Sequence, residues 1–515
     1  MMLSTAEIIN LLQEHQLLQE VRGSENQATF AYVSYDSRDV QVDTLFFCKG
    51  NFKPAYLTTA IAAGATGFVT EQPQGADSQL TEFVVTDVQK AMALLAAAFF
   101  AFPQNELELF AITGTKGKTT TAYFLREAIN AATNGKTALF STVNTILGPD
   151  PEDTFKSALT TPESLDLFKN MRTAVDRGMR FLVMEVSSQA YLKNRVYNLA
   201  FNYGSFLNIS PDHVGENEHP TFANYLHCKE QLVVNSHHVV INAATNHLQD
   251  VYFAAKATTA PENLYLYARN GTQTELPVQL DFTFDSEADT LTDNEIYLRS
   301  LTKHAQALHL DGKYQIGIPG DYNETNAVDA IINAGLAGFT REQLLAGLAS
   351  TQIPGRMERY VSADHGTIYV DYAHNYASTK ALLQFLKTQA PSGKTIAVVG
   401  SPGNKGIDRR EGFGKALSEE ADVAILTTDD PGFEDPLTIA KAIDQHINHD
   451  RVQVYYELDR KKAIQKAIQM GTPNDIIVVL GKGQDPYQKV NGVDLPYPTD
   501  STIVQQLLDA DDGQD

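Results

Sequence analysis

Cysteine is almost missing from these 515 residues: only Cys48 and Cys228 occur, with no Cys-x-x-Cys pair and no Cys/His spacing of the metal-site kind. That excludes a disulfide framework and points to a reducing compartment, the cytosol. Basic residues are also scarce, with 40 Lys plus Arg against 63 Asp plus Glu and a formal charge of −23. So acidic a surface argues against wrapping nucleic acid or anionic lipid, and any anionic ligand must be caught by local positive groups. Long hydrophobic runs are absent as well. The longest, 91–102, has 12 residues and stops at Pro103, whereas a membrane span needs roughly 20. It is expected to be a buried helix closing a first domain. Residues 1–7 start an amphipathic helix without the basic stretch of a secretion signal, so a cytoplasmic protein with no membrane insertion is expected.

What is present is ordinary globular material: 20% charged and 43% apolar residues exclude a wholly disordered chain and a collagen. At roughly 100 to 200 residues per domain, the length argues for about three domains. Short β-type runs at 29–33 and 81–85 flank an Ala-rich helix at 55–64, a small α/β unit over 1–103. From 106 a βαβ series begins, with strands at 107–113, 181–185, 201–209 and 239–242, a helix at 122–132 and another at 324–337. A parallel sheet over 104–348 is the natural reading. The turn-rich stretches 271–275 and 285–293 are expected to be surface hairpin connections. The third unit, 349–515, has strands at 366–370, 395–400, 423–427 and 476–480 with helices at 377–389 and 439–447, a second doubly wound, Rossmann-like α/β domain. The acidic tail 509–515 is expected to fray.

The strongest chemical signal is Gly114-Thr115-Lys116-Gly117-Lys118-Thr119-Thr120, set between a strand and a helix. Backbone amides of such a loop cradle phosphates, Lys118 supplies a point charge, and the Thr119 hydroxyl can ligate Mg²⁺. It departs from the common phosphate-loop spacing at Ile112, where a Gly is usual. Lys116 fits phosphate contact and a solvated loop charge equally. Glu185 ends one strand, and Asn208 to His213 follow the next, so polar groups converge on the sheet edge where doubly wound folds bind ligands.

These motifs, together with Tyr35-Asp36-Ser37-Arg38, Thr160-Thr161-Pro162, Tyr225 to Lys229, Asp321 to Asn326, Pro354-Gly355-Arg356, Asp371 to His374, Asp429-Asp430-Pro431 and Gly481-Lys482-Gly483, resemble the Mur ligases of peptidoglycan synthesis over nearly the whole chain. The resemblance is to the tripeptide-forming branch, most of all its lysine-adding type. It implies ATP-dependent amide ligation on the D-Glu γ-carboxylate of UDP-N-acetylmuramoyl-L-Ala-D-Glu through an acyl phosphate, a step of cytoplasmic cell-wall synthesis and hence of cell shape and division. It also implies a uridine-nucleotide module in the first domain and a monomer. Carried over by position, Lys118, Glu185, His213 and Lys229 would be catalytic, and Thr119, Glu185, His213 and Lys229 would serve Mg²⁺. Lys229 would be carbamylated by CO₂. Gly114 to Thr120, Asn323, Arg356, Asp371 and His374 would bind ATP, completed as the domains close. Ser37, Thr160, Thr161, Ser187 and Arg195 would hold the UDP-muramoyl dipeptide, Arg because its planar fork pairs with carboxylate or phosphate.

The amino acid to be added is read from the third domain. Diaminopimelate-adding relatives carry Asp-Asn-Pro-Arg, whose Arg pairs with the distal carboxylate. Here the stretch is Asp429-Asp430-Pro431-Gly432. Gly432 cannot form that pair and Asp430 adds negative charge, so a side chain ending in ammonium, L-lysine, is preferred. Gly481 and Asp485 complete the expected amino-acid site, with Asp485 where the family carries a Glu. An α-amine with a pKa of roughly 8 is the nucleophile, while an ε-ammonium near about 10.4 stays charged as the handle. Ornithine or meso-diaminopimelate remains an alternative, as does folylpolyglutamate synthetase, which shares the short phosphate loop but lacks a uridine module. A non-catalytic ATP-binding regulator would be expected to have lost Lys118, Glu185, His213 or Lys229. The basic residues Lys405, Arg409 and Arg410 fit phosphate contact or solvated surface.

Overall fold

A computed structural model describes the chain except residues 1, 24–27, 76–78, 212–214, 216–217, 290–293, 390–391, 405 and 513–515. The fold comprises two compact units, one built on Met1–Ala288, Glu295–Ile316 and Asp321–Thr351, the other chiefly on Gln352–Asp515.

The first unit begins with a five-stranded sheet in the order Leu18–Gly23, Thr81–Val85, Ala65–Thr70, Thr44–Phe47, Tyr32–Ser34. All pairs but the first are parallel. The stretch 29–33, expected as one strand, is two: Thr29–Phe30 pairs with Leu3–Ser4, and Tyr32–Ser34 joins the five-stranded sheet. The long apolar run forms the helix Val88–Phe99, capped by the Asp87 side chain accepting from the Lys90 amide. It stops where Ala101 and Phe102 take left-handed φ values of 58° and 51° ahead of Pro103, whose ring cannot continue a helix. Leu94, Leu95 and Met92 from this helix share one buried cluster with Leu109, Phe140 and Leu182 of the next sheet.

That second sheet has eleven strands among the described residues. Seven run parallel, in the order Thr137–Phe140, Phe181–Glu185, Glu108–Thr113, Phe201–Phe206, Ser236–Asn242, Leu264–Arg269, Phe282–Asp289. Strands buried on both faces need continuous apolar runs, which Phe181–Glu185 supplies, every residue being buried. The stretch 285–293 departs from its expected role as a connection. Residues up to Asp289 extend a strand and Asn294–Ser300 forms the next, while 290–293 lie outside the described residues. The strand is disguised because buried Phe282 and Phe284 are followed by acidic residues. The stretch 271–275 is a connection with exposed residues, as expected, but not a hairpin, since the strands on either side of it, Leu264–Arg269 and Phe282–Asp289, run parallel.

The second unit holds a six-stranded sheet in the order Glu358–Ser362, Gly366–Asp371, Ile476–Leu480, Thr395–Val399, Val423–Leu426, Gln453–Tyr456. It is parallel apart from the first pair, and apolar clusters cover both faces. The tail expected to fray from 509 continues a helix, Asp500–Asp512. Ile503, Val504 and Leu508 anchor it in one of those clusters, so local acidity is overridden by burial of the opposite face.

Candidate active site

The strand Glu108–Thr113 lies between Phe181–Glu185 and Phe201–Phe206, with Ile112 level with Glu185 and Thr113 level with Phe206. Whatever follows each strand therefore emerges at one sheet edge. From the central strand comes the Gly114–Gly117 loop, and the helix Lys118–Thr133 starts directly after it. Gly117 adopts φ 89°, and a Cβ there would press on the Asn326 side chain; only glycine fits. Lys118 Nζ donates to the carbonyls of Gly114 (2.9 Å) and Thr115 (3.4 Å). The exposed Lys116 contributes its backbone instead: its amide donates to Asn208 Oδ1 at 2.9 Å and its carbonyl accepts from Asn208 Nδ2 at 3.0 Å.

Glu185 is buried at the end of its strand, 1% exposed. Its Oε1 accepts from the Thr119 hydroxyl at 2.8 Å and the Thr142 amide at 2.7 Å, and its Oε2 accepts from the Thr142 hydroxyl at 3.1 Å. Thr119 and Glu185 together are hard oxygen donors at the N-terminus of the phosphate-loop helix, the chemistry that Mg²⁺ takes while keeping waters and phosphate oxygens in its remaining positions. Among the described residues no group of three or more His, Cys, Asp and Glu side chains forms a metal cage. His213 lies outside the described residues. Lys229, buried in the helix Phe222–Val234, donates to the Gly114 carbonyl at 2.7 Å, and its Nζ stands 4.9 Å from the Tyr225 ring centroid.

On the same edge the Thr161 hydroxyl donates to the Glu185 carbonyl (3.0 Å) and accepts from the Ser187 amide (3.0 Å). The Thr160 and Thr142 hydroxyls are 3.1 Å apart. Arg195 Nε donates to Glu163 Oε1 at 3.0 Å, while Lys49, just past the strand Thr44–Phe47, reaches Glu163 Oε2 with its Nζ at 2.7 Å. Burial alone would raise the Glu163 carboxyl, but Lys49 and Arg195 hold it below the usual carboxylate range. Ser37 sits in the turn after Tyr32–Ser34, beside a cavity of about 290 Å³ lined by Tyr32, Tyr35, Asp36, Phe100, Asp166 and Lys169 among others, without lining it itself. Asn323 is buried in the helix Asp321–Leu336.

In the second unit the loops leaving Val423–Leu426 and Ile476–Leu480 meet around Lys482. Its buried Nζ lies 2.8 Å from Asp430 Oδ1, 3.5 Å from Asp485 Oδ2 and 3.8 Å from Asp429 Oδ1. Burial pushes the Asp429 carboxyl up, with Arg460 and Lys482 opposing. Gly481 takes φ 105°, and a Cβ there would stand 2.9 Å from Asp429 Oδ2. Pro431 is buried, and Gly432 exchanges backbone bonds with Lys489 (3.0 Å) and Asn491 (2.7 Å). A cavity of about 130 Å³ opens here, lined by His374, Arg409, Asp429, Asp430, Lys482 and Asp485 with four further residues. Arg410 is buried and bonds Glu434 at 2.9 Å; Lys405 lies outside the described residues. Asp371 accepts from the Met357 and Ala373 amides at 2.8 and 2.7 Å, and burial raises its carboxyl against the pull of Arg356. Arg356 and His374 are exposed, the latter with Nδ1 2.8 Å from the Tyr372 carbonyl.

The family model described as Mur ligase middle domain matches residues 112–334, and that described as Mur ligase, glutamate ligase domain matches 355–483. The chain belongs to the Mur ligase family. UDP-N-acetylmuramyl-tripeptide synthetase of Ligilactobacillus salivarius is 58% identical over 99% of this chain and 100% of its own length. UDP-N-acetylmuramoyl-L-alanyl-D-glutamate--L-lysine ligase of Enterococcus faecalis is 47% identical over 92% of this chain and 91% of its own. Among solved structures, a UDP-N-acetylmuramoyl-L-alanyl-D-glutamate--2,6-diaminopimelate ligase superposes with TM-score 0.65 at 25% identity, covering 94% of this chain and 95% of that one.

In this Mur ligase the structure brings Gly114 to Thr120, Thr160, Thr161, Glu185, Ser187, Arg195 and Lys229 to one sheet edge, and Asp429, Asp430, Gly481 and Asp485 to one cavity. Sequence reasoning missed Thr142, Glu163 and Lys482 as members of these sites. Lys482 carried a signal, a Lys between two glycines directly after an apolar strand. Thr142 and Glu163 carried none, since their partners lie tens of residues away. Lys482 also alters the charge reading: the acid of Asp430 is met inside the protein by an ammonium, and the surplus acid comes from the three carboxylates together.

Proposed function

We propose that this chain is the ATP-dependent ligase joining L-lysine to the D-Glu γ-carboxylate of UDP-N-acetylmuramoyl-L-Ala-D-Glu in the cytoplasm. Its modules are taken as 1–103 for the uridine nucleotide, 104–348 for ATP and 349–515 for the amino acid. The observation that carries the chemistry is the buried Glu185–Thr119 pair, 2.8 Å apart, at the mouth of the phosphate loop. The lysine-adding relative and the acid-rich cavity around Lys482 support the choice of amino acid.

A carboxylate is a poor electrophile, so it must first be activated. The loop amides and the helix N-terminus hold the triphosphate, and Lys118 exchanges its carbonyl contacts for phosphate oxygens. Thr119, Glu185 and His213 are assigned to Mg²⁺, which when bound neutralises charge on the β- and γ-phosphates. Arg195, Thr160, Thr161, Ser187 and Ser37 orient the UDP-muramoyl dipeptide. Its γ-carboxylate oxygen attacks the γ-phosphorus, ADP leaves, and an acyl phosphate forms. The deprotonated α-amine of lysine then attacks the acyl carbon, phosphate departs with the bonding electrons, and the new amide nitrogen gives up one proton to solvent. Asp429 and Asp485 hold the substrate ammonium, and Asn323, Arg356, Asp371 and His374 are assigned to the nucleotide. Lys229, as a carbamate, would supply an anion beside the loop.

Phosphate release by the purified protein should require ATP, the UDP-muramoyl dipeptide and an amino acid, and lysine should serve far better than ornithine or diaminopimelate. Release only with diaminopimelate would overturn the lysine reading. In the same assay Lys229→Ala should lose turnover and regain part of it with added short carboxylic acids; unchanged activity removes the carbamate. A folylpolyglutamate role is disfavoured because the tripeptide synthetase relative aligns over 99% of this chain, the uridine segment included.

A further inference from the structure

The two acid-bearing loops leave strands that do not touch. In the sheet, Thr395–Val399 stands between Val423–Leu426 and Ile476–Leu480, so no strand ladder joins the two loops at their base; farther out, Gly432 bonds the backbone of Lys489 and Asn491, and Lys482 bridges the acids. At that base, where the loops leave their strands, one guanidinium spans the gap. Arg460, the first residue of the helix Arg460–Met470, has a side chain 1% exposed. Its Nη2 donates to the Leu480 carbonyl at 2.8 Å and its Nη1 to the Thr428 carbonyl at 3.4 Å. These are the residues immediately before Gly481 and Asp429. Nε and Nη2 also form a fork on Asp500, at 2.7 Å to each carboxylate oxygen. Asp500 in turn accepts from the Gly483 amide at 3.0 Å and the Tyr497 hydroxyl at 2.8 Å, so Lys482 is held from both sides.

A buried ion pair is a poor device for stability, because desolvation consumes most of the Coulomb gain and an apolar pair of similar volume often does as well. Its value is geometric: a planar fork with five donors fixes several acceptors at once. Resting on the proposed amino-acid ligation, we infer that the Arg460–Asp500 pair is the positioning element of the amino-acid site, setting the spacing between the Asp429–Asp430 loop and the Lys482–Asp485 loop and thereby the length of cationic amino acid accepted.

The test uses the full-length protein with two variants, Arg460→Lys, which keeps the charge but reaches fewer carbonyls, and the apolar double replacement Arg460→Met with Asp500→Leu. For each, the KM values for ATP, the UDP-muramoyl dipeptide and lysine are measured with the ratio of lysine to ornithine kcat/KM. The expected result is a KM for lysine raised at least tenfold in the double variant and several-fold in Arg460→Lys, ATP KM within twofold of wild type, and a fall in the lysine-to-ornithine ratio. General loss of structure would lower both amino acids equally and leave the ratio unmoved. An unchanged lysine KM and ratio in folded Arg460→Lys overturns the inference. If the wild type uses a different amino acid, the lysine assignment fails alone, and the same comparison is read with the amino acid it does use and its one-methylene-shorter homologue.

Discussion

Asp329 is a carboxyl that the fold keeps from water. It accepts from the Ser205 hydroxyl at 2.7 Å and Asn333 Nδ2 at 3.1 Å, and burial pushes it up to about 7 despite those bonds. An unfolded Asp titrates near about 3.9, so between these values the folded chain binds the extra proton. Stability from this group is full at the acid end and is lost as pH rises towards 7. Asp329→Asn, neutral at every pH, should raise the urea midpoint at pH 8 and leave it close to wild type at pH 4.5; an equal shift at both would refute the assignment. The placement of residues was legible where a local pattern carries it. Lys118 and Thr119 follow from strand, glycines and helix start, and Glu185 from a strand end. Glu163 and Arg460 were not legible, because each acts through partners more than 30 positions away, such as Arg195 and Asp500. His213 is legible as a motif residue, and its geometry lies outside the described residues.

At the scale of elements, the junction of loop and helix at Gly117 is the most constrained. An alanine there would need a left-handed φ of 89° and would displace Asn326, a cost of about 1–3 kcal/mol. Gly117→Ala should therefore lower stability in urea by that order and raise the KM for ATP, with the KM for lysine unmoved; an unchanged ATP KM would show that the loop tolerates the shift. Continuous apolar runs made Phe181–Glu185 and Ile476–Leu480 readable to the residue. The phosphate-loop helix was read four residues late, because Lys118 and three threonines hide its first turn, and the acidic end of Phe282–Asp289 was read as a turn. In each case polar residues misled: Thr119 to Thr121 are polar yet buried, and the acidic end of the strand is partly exposed.

For the whole molecule, the charge of −23 and the anionic substrates pull against each other. Repulsion between like charges is screened over about 10 Å at 0.1 M salt, so kcat/KM for the UDP-muramoyl dipeptide should rise roughly two- to fivefold from about 10 to about 150 mM salt. A fall would mean that local cations such as Lys49, Lys118 and Arg195 already dominate the approach. Local pattern along the chain determined the α/β class and the phosphate loop, because strand–loop–helix chemistry is written in consecutive residues, and the ordered motifs carried the resemblance to the Mur ligases. Tertiary structure alone decided that Glu163 joins Lys49 to Arg195, that Lys482 sits among three carboxylates, and that one buried Arg–Asp pair links the ends of two strands that do not pair with each other. Those contacts depend on which distant backbones the sheets bring within a few ångströms, and periodicity along the chain does not encode that distance.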